Sequence, residues 1–307
     1  MASCRRTSPD VLRKLRAALV FTLLASMAIP SSAPRIYSLA GAERQVERRI
    51  LAAPADVAVF FRLLGGESEW SYQPDDTFHA ASTMKVPVMI ELFHQAHQGK
   101  LTLDDPLLIH NEFFSLVDGS AFYLDPGNDA STDLYSSEGQ TRTLRQLCEL
   151  MITMSSNLAT NLLIKKLGIE NIRATVHLLG ADGMNVLRGV EDNKAYELGL
   201  NNTTTARALA ILLTAIAEGK VVDPDSSRQM VEILKRQHIN DGIPSGLDPT
   251  IPVAHKTGTL KAIHHDAAIV YGPQPFVLVI LVRGMANSKD SSALMAGITR
   301  AFYRATQ

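Results

Sequence analysis

The chain has 307 residues, 46% of them hydrophobic and 20% charged, with a net charge of −1. That apolar content and weak net charge exclude disorder as the main state, and no basic excess marks a nucleic-acid binder. Two cysteines, Cys4 and Cys148, cannot build a disulfide scaffold.

The near-neutral balance hides a split. Residues 1–40 carry six bases against one acid, Asp10, for a net +5, which leaves −6 for the rest. Five of the six bases precede a 13-residue apolar run, Ala17 to Ile29. As a helix this run would be about 20 Å long, short for a bilayer core. A basic start, a short apolar middle and a small-residue end predict a secretory signal peptide over residues 1–40. The expected cleavage follows Ser38-Leu39-Ala40; Ala33 is a poorer site because Pro34 follows it. An uncleaved N-terminal anchor is the alternative. The expected product is an exported, periplasmic or secreted monomer of residues 41–307, without stable membrane insertion.

In chain order, Glu43 to Ala53 has a helical pattern ended by Pro54, and Val57 to Leu64 reads as a buried strand. Gly65-Gly66 turns it into a second strand at Glu69 to Tyr72, with Trp70 packing on the sheet. The middle is mainly helical. Apolar residues at helical spacing run from Thr143 to Leu167, Ala206 to Glu218 follows the threonines 203–205, and Asp225 to Arg236 is a further helix. Asp118 to Gln140 and Gly183 to Asn202 read as long irregular loops, a feature that is often functional. Pro252–Gly258, Asp266–Tyr271 and Phe276–Val282 are strand candidates, and Ser291 to Arg304 closes the chain as a helix.

This order predicts an α/β (α+β) fold. One antiparallel sheet is assembled from both chain ends, flanked by helices, with an all-helical inserted subdomain. The expected boundaries are 41–82 plus 245–307 for the sheet subdomain and 83–244 for the mainly helical one.

Three short motifs follow one another: Ser82-Thr83-Met84-Lys85, Ser155-Ser156-Asn157 and Lys256-Thr257-Gly258. A serine hydroxyl needs a base before it can attack. At a helix N-terminus, positions i and i+3 share a face, so Lys85 would stand beside Ser82. A lysine acts as a base only if desolvation or a neighbouring cation lowers its pKa, and Lys256 is the obvious cation. Ser155 could relay a proton, while the Asn157 amide could bind Lys85 and a substrate carbonyl. Lys256 and Thr257 could hold a substrate carboxylate, and Gly258 would let a ligand approach the strand. The Thr259 and Ser82 amides could form an oxyanion hole.

Taken together, the motifs, their order and the strand–helices–strand layout resemble the class A serine β-lactamases and the wider penicillin-recognising serine hydrolases. The resemblance spans nearly all of residues 41–307. It implies acylation of Ser82 by a β-lactam carbonyl, with Lys85 as proton partner, Ser155 as shuttle, and Lys256 with Thr257 receiving the carboxylate. It also implies a glutamate on the second long loop that activates the deacylating water. Glu191, 34 residues after Asn157, is the best candidate, with Glu197 as its rival. No cofactor is implied. Neither His94/His97 nor His264-His265-Asp266 has a zinc-hydrolase spacing, so no metal site is expected. These histidines read as surface or packing groups, with His264 or His265 possible at the cleft. Cys148 reads as a buried free thiol.

Four departures stand against the resemblance. Ser156 replaces an aspartate, removing a carboxylate that staples the helix. Asp192-Asn193-Lys194-Ala195 replaces the expected run after the glutamate, so the asparagine that helps hold the water is out of place unless Asn193 substitutes. Asn202 replaces an aspartate that pairs with the loop arginine. The 73-residue gap from Ser82 to Ser155 is long, and its excess falls in 118–140. The departures weaken deacylation more than acylation. Hence two alternatives to a β-lactamase remain: a DD-peptidase-like or esterase-like hydrolase acting on peptidoglycan-like peptides, with slow deacylation of β-lactams, and a non-catalytic exported binding protein.

Overall fold

A hydrophobic stretch facing two ways needs cover on both sides, and Val57–Leu64 is such a stretch. In the computed structural model, which describes residues 38–307, it forms β1 (Asp56–Leu63). It follows α1 (Leu39–Leu51) and precedes β2 (Glu69–Tyr72) and the short β3 (Phe78–His79). A 3-10 turn, Ala81–Met84, then runs into α2 (Lys85–His97).

The middle of the chain holds β4 (Pro106–Leu108), β5 (Phe113–Phe114), β6 (Ala121–Phe122), α3 (Thr132–Tyr135) and β7 (Thr141–Thr143). Helices α4 (Leu144–Thr153), α5 (Asn157–Leu167), α6 (Ile169–Leu178) and α7 (Asn193–Glu197) come next. Strand β8 (Thr203–Thr204) leads to α8 (Ala206–Ala217) and α9 (Pro224–Lys235). The chain ends with β9 (Val253–Leu260), β10 (Ile263–Val270), β11 (Phe276–Arg283) and α10 (Ser288–Ala305).

The main sheet has five antiparallel strands in the order β2-β1-β11-β10-β9. Both chain ends contribute, as expected, and β1 pairs with β11 across more than 200 residues of sequence. Alternate residues on the central strands enter two separate cores. Phe60, Ala267, Val277, Val279 and Leu281 face the helical lobe with α2, α4, α5 and α8. Val59, Phe61, Val270, Leu278 and Ile280 face α1 and α10. Burial on both faces is why β11, Phe-Val-Leu-Val-Ile-Leu-Val-Arg, shows no polar alternation.

The inserted subdomain departs from the all-helical expectation. Two-stranded pairs β3–β8, β4–β7 and β5–β6 stitch its loops, and the expected 118–140 loop contains β6, a 3-10 turn at Pro126–Asn128 and α3. Helix α6 was not anticipated. It is short and buries little more than Ile172, Thr175 and Val176, so its periodicity is weak. The signal-peptide segment lies outside the described residues, except at its end. There Ser38 caps α1 by accepting from Gly41 N at 3.1 Å, so cleavage after Ala40 would remove this cap.

Cys148 is fully buried and its thiol is pushed up to about 12 by that burial, an inert packing group as expected. Beneath the sheet, Phe61 stacks on Phe302 of α10 at 4.3 Å and 8° between planes, with Trp70 at 5.6 Å from the same ring. Phe61→Ala should therefore lower stability by about 3–5 kcal/mol, read as a shifted urea midpoint with an unchanged slope.

Candidate active site

Ser82 lies in the tight turn between β3 and α2. Lys85 N donates to Ser82 O, the i→i+3 bond of this turn, and a 3-10 turn eclipses residues i and i+3. The turn is held at both ends. Ala80 N donates to Asn202 O at 2.8 Å, Ala81 N to His79 Nδ1 at 2.9 Å, and Thr83 Oγ1 to Ala80 O at 2.6 Å. Ala81 sits at φ +46°, a left-handed conformation that is strained for an alanine. Its neighbours Ala81, Thr83 and Met84 are buried while Ser82 is half-buried.

Lys85 is fully buried. Its Nζ donates to Ser155 O at 2.6 Å, to Asn157 Oδ1 at 2.9 Å and to Ser155 Oγ at 3.2 Å. Burial pushes this amine down to about 7, against the pull of Asp129 and Glu191. Desolvation, one of the two causes expected from the sequence, therefore leads. Lys256 is equally buried and held well below the ordinary lysine range, first by burial and then by Lys85. Its Nζ donates to Ser155 Oγ at 3.0 Å and to Thr257 O at 2.9 Å. One hydroxyl thus accepts from two amines. A hydroxyl has two lone pairs and one proton, so the Ser155 proton is left to point away from both lysines.

Ser155 occupies the break between α4 and α5 at φ +60°. The Thr143–Leu167 periodicity is therefore two helices, and the strained residue between them is the functional one. Ser156 caps α5, accepting from Ala159 N at 3.3 Å. The expected loss of a stapling carboxylate is corrected here. Asp129, on the 118–140 segment, accepts at Oδ2 from Ser156 Oγ (3.1 Å), Asn157 N (2.7 Å) and Leu158 N (3.0 Å).

Glu191 is brought to the site and Glu197 is not. Glu191 Oε1 accepts from Asn157 Nδ2 at 2.7 Å, and Oε2 from Asp125 N at 3.3 Å. The Asn157 amide therefore joins Lys85 on one side to Glu191 on the other. Glu197 is exposed at the end of α7, and Asn193, at the start of the same helix, is exposed as well.

The Glu191 loop is pinned by side-chain amides, by the Arg188 and Asp192 side chains, and by an exposed ion pair from Lys194 Nζ to Asp118 Oδ2 at 2.8 Å. Asn202 Oδ1 accepts from the amides of Leu187 and Arg188, and its Nδ2 donates to Arg188 O. The Arg188 guanidinium reaches Leu200 O, Gly189 O and Asn201 Oδ1. Asn161 grips Val190 through both its amide and its carbonyl. Asp192 is held by Ser115 Oγ and Leu116 N at 2.9 and 2.8 Å.

Gly258 is also required by packing. A Cβ there would meet Ala80 O and Ala81 Cβ at 3.2 Å and Thr83 Cγ2 at 3.1 Å. The Ser82 turn comes this close to β9 here, a packing role in addition to the one expected. Thr257 is buried opposite Asp266, and Thr259 is exposed opposite His264.

His264 and His265 do not line the cleft as open ligands. Both are buried. Val282 N donates to His265 Nδ1 at 3.1 Å, so its Nε2–H donates to His79 O at 3.0 Å. Burial pushes that ring down to about 4. His264 Nδ1 lies 2.8 Å from Ser291 Oγ.

Sequence reasoning missed Asp129, Asn161 and the buried His255–Asp266 pair beneath Lys256, 3.0 Å apart. Local sequence held no signal for Asp129, one of five acids in the turn-rich 118–140 segment. Asn161, four residues after Asn157, was visible as a polar residue on the same helix face.

A fixed serine, two desolvated lysines and a carboxylate bridged by one amide define a serine hydrolase of the penicillin-recognising type. The beta-lactamase enzyme family model matches residues 41–306. A beta-lactamase of Bacillus licheniformis is 26% identical over 262 residues, covering 82% of this chain and 79% of its own. Two solved structures share the fold at 25% identity. A beta-lactamase from Chitinophaga pinensis has TM-score 0.76 over 87% of this chain and 99% of its own, and PBP-A has 0.74 over 89% and 98%. The chain belongs to the beta-lactamase enzyme family.

Because Ala80 O and Ala81 Cβ are anchored in the backbone, Gly258→Ala can be accommodated only by moving the Ser82 turn. The variant should fold and should lose about tenfold or more in acylation rate, measured by single-turnover mass shift.

Proposed function

We propose that the protein hydrolyses the β-lactam amide through an acyl-enzyme on Ser82, as an exported enzyme acting on a small-molecule substrate. The observation that carries this reading is the Ser155 hydroxyl held between the Lys85 and Lys256 amines, beside a Glu191 carboxylate bridged to Lys85 by Asn157.

In this mechanism neutral Lys85 takes the Ser82 proton and Oγ attacks the carbonyl carbon. The Ser82 and Thr259 amides receive the oxyanion. Ser155 passes a proton to the leaving nitrogen and regains one from the lysine pair. Lys256 and Thr257 hold the substrate carboxylate by charge and hydroxyl. Glu191 then takes a proton from water, the hydroxide attacks the ester carbonyl, and the ester C–O bond breaks as Ser82 Oγ takes back a proton from Lys85, which the Glu191 proton restores. A low-pKa lysine suits the first step because the base must be free near neutral pH.

A second reading keeps the same acylation and slows the release. Asn193 is exposed rather than turned beside Glu191, so the water there has one side-chain partner fewer. This would be the behaviour of a DD-peptidase-like hydrolase.

A chromogenic cephalosporin, followed by colour and by protein mass, separates the readings. Steady turnover supports the β-lactamase. A single burst with a stable adduct on Ser82 supports the slow hydrolase, and no adduct leaves only a binding protein or an unrelated substrate. Ser82→Ala should abolish the adduct. Glu191→Gln should acylate normally and deacylate ~10²–10⁴-fold more slowly; unchanged turnover would remove Glu191 from the mechanism.

Acylation should rise with pH through about 7, where Lys85 loses its proton. The stability linkage has a definite sign. Between that value and the ordinary lysine pKa the unfolded chain binds a proton that the folded chain does not, so Lys85 makes stability increase with pH over that window. A flat acylation profile from pH 5 to 9 would exclude Lys85 as the base.

A further inference from the structure

Asp129 is more heavily engaged than a helix cap requires. The side chain is buried at the end of the Pro126–Asn128 turn. Besides the three donors from Ser156, Asn157 and Leu158, Oδ2 receives Tyr135 OH at 3.1 Å, and Oδ1 receives Ser131 N at 2.9 Å. Five donors converge on one carboxylate. Yet α5 already has a cap, since the Ser156 hydroxyl accepts from Ala159 N. What Asp129 fixes in addition is the backbone on either side of the Asn157 side chain, the amide that links Lys85 to Glu191.

We propose that Asp129 is a positioning residue of the catalytic centre: a carboxylate supplied by the 118–140 segment instead of by the second motif, which aims the Asn157 amide and counter-charges Lys85. The proposal rests on the Ser82 acyl-enzyme reading and adds to it a role for the extra length between the first two motifs. The charged groups acting on Lys85 are Asp129 and Glu191, which favour its protonated form, and Lys256, which meets it at the Ser155 hydroxyl. Around Asp129 itself stand Tyr135 and the polar groups of the α5 start, with the Glu191 charge also felt at Tyr135.

The geometry makes positions 129 and 156 mutually exclusive hosts for the charge. Ser156 is fully buried and its hydroxyl lies 3.1 Å from Asp129 Oδ2. A second carboxylate at 156 would face the first in a site that excludes water, where like charges cannot both ionise without cost. With the first neutralised, a carboxylate at 156 stands at the same helix start and meets the same positive end of α5.

The test is a charge-swap cycle. Single-turnover acylation by a chromogenic cephalosporin is measured from pH 5 to 9 for the wild type, Asp129→Asn, Ser156→Asp and the double variant, each with a thermal midpoint. Asp129→Asn should lower the acylation plateau by ~10–100-fold through misplacement of Asn157. It should also move the rising limb to lower pH, because Lys85 has lost a negative neighbour. Ser156→Asp alone should lose both rate and thermal midpoint. Joined to Asp129→Asn, the same change should restore most of the plateau and return the limb toward the wild-type position.

A sign reversal of the Ser156→Asp effect between the two backgrounds establishes the relocated charge. An Asp129→Asn plateau and limb equal to wild type would overturn the proposal. So would a double variant no faster than Asp129→Asn. If Asp129→Asn alone does not fold, the double variant decides: recovery of folding and rate together supports the role, and folding without rate overturns it. A wild type that forms no adduct would instead overturn the acyl-enzyme reading itself.

Discussion

Two fully buried lysine amines share one serine hydroxyl. Each ammonium carried into such a site costs several kcal/mol, and the second charge adds repulsion to desolvation. The protein answers by weakening both bases. Lys85 is pushed down to about 7 and Lys256 falls well below its ordinary range. The remaining charge is balanced by carboxylates at a short remove, Asp129 and Glu191 on one side and Asp266 on the other. Ser155, between them, is forced to φ +60° to offer its oxygen to both amines and its carbonyl to Lys85. Strain at this residue and desolvation of the two lysines belong to the same arrangement.

The rest of the fold delivers these groups from separate places in the sequence. Lys256 rides on β9, the edge strand of the five-stranded sheet. Lys85 begins α2, and Ser155 lies between α4 and α5 in the helical lobe. Two cores, one on each face of the sheet, fix the strand against the lobe. The separation at the seam is set by a missing side chain. Gly258 lets the strand approach the Ser82 turn to within ordinary contact of Ala80 O, Ala81 and Thr83.

Around this centre, polar pins do most of the holding, beside the exposed Lys194–Asp118 ion pair. The loop carrying Glu191 is held by Asn161, Asn202 and the backbone bonds of Arg188. Neutral amides can donate and accept at once, so each asparagine closes two bonds where a carboxylate would only accept. The β5–β6 hairpin adds its own clasp on Asp192 through Ser115 and Leu116. The long 118–140 segment is thus part of the centre: it places Asp125 N on Glu191 and Asp129 on α5.

Much of this was legible before any coordinates. The buried strands were marked by uninterrupted apolar runs, and their positions at both ends of the chain dictated a sheet closed from both termini. The three motifs identified Ser82, Lys85, Ser155, Asn157 and Lys256 by residue type and spacing, because catalytic chemistry restricts which side chains can serve. The small strand pairs and α6 were illegible, since two or three residues of β pairing leave no periodicity and α6 buries only one narrow stripe. Asp129 was illegible for another reason. A carboxylate acts through the donors it meets, and its donors lie 27 to 29 residues away in α5. The choice of Glu191 over Glu197 was likewise tertiary, because a loop acid becomes a base only where the fold turns it toward an amide such as Asn157. The sequence by itself determined which chemistry the chain carries and the order of its elements. Tertiary structure alone decided which charges meet and how far water is kept from them, because burial and long-range contact are properties of packing and not of spacing along the chain.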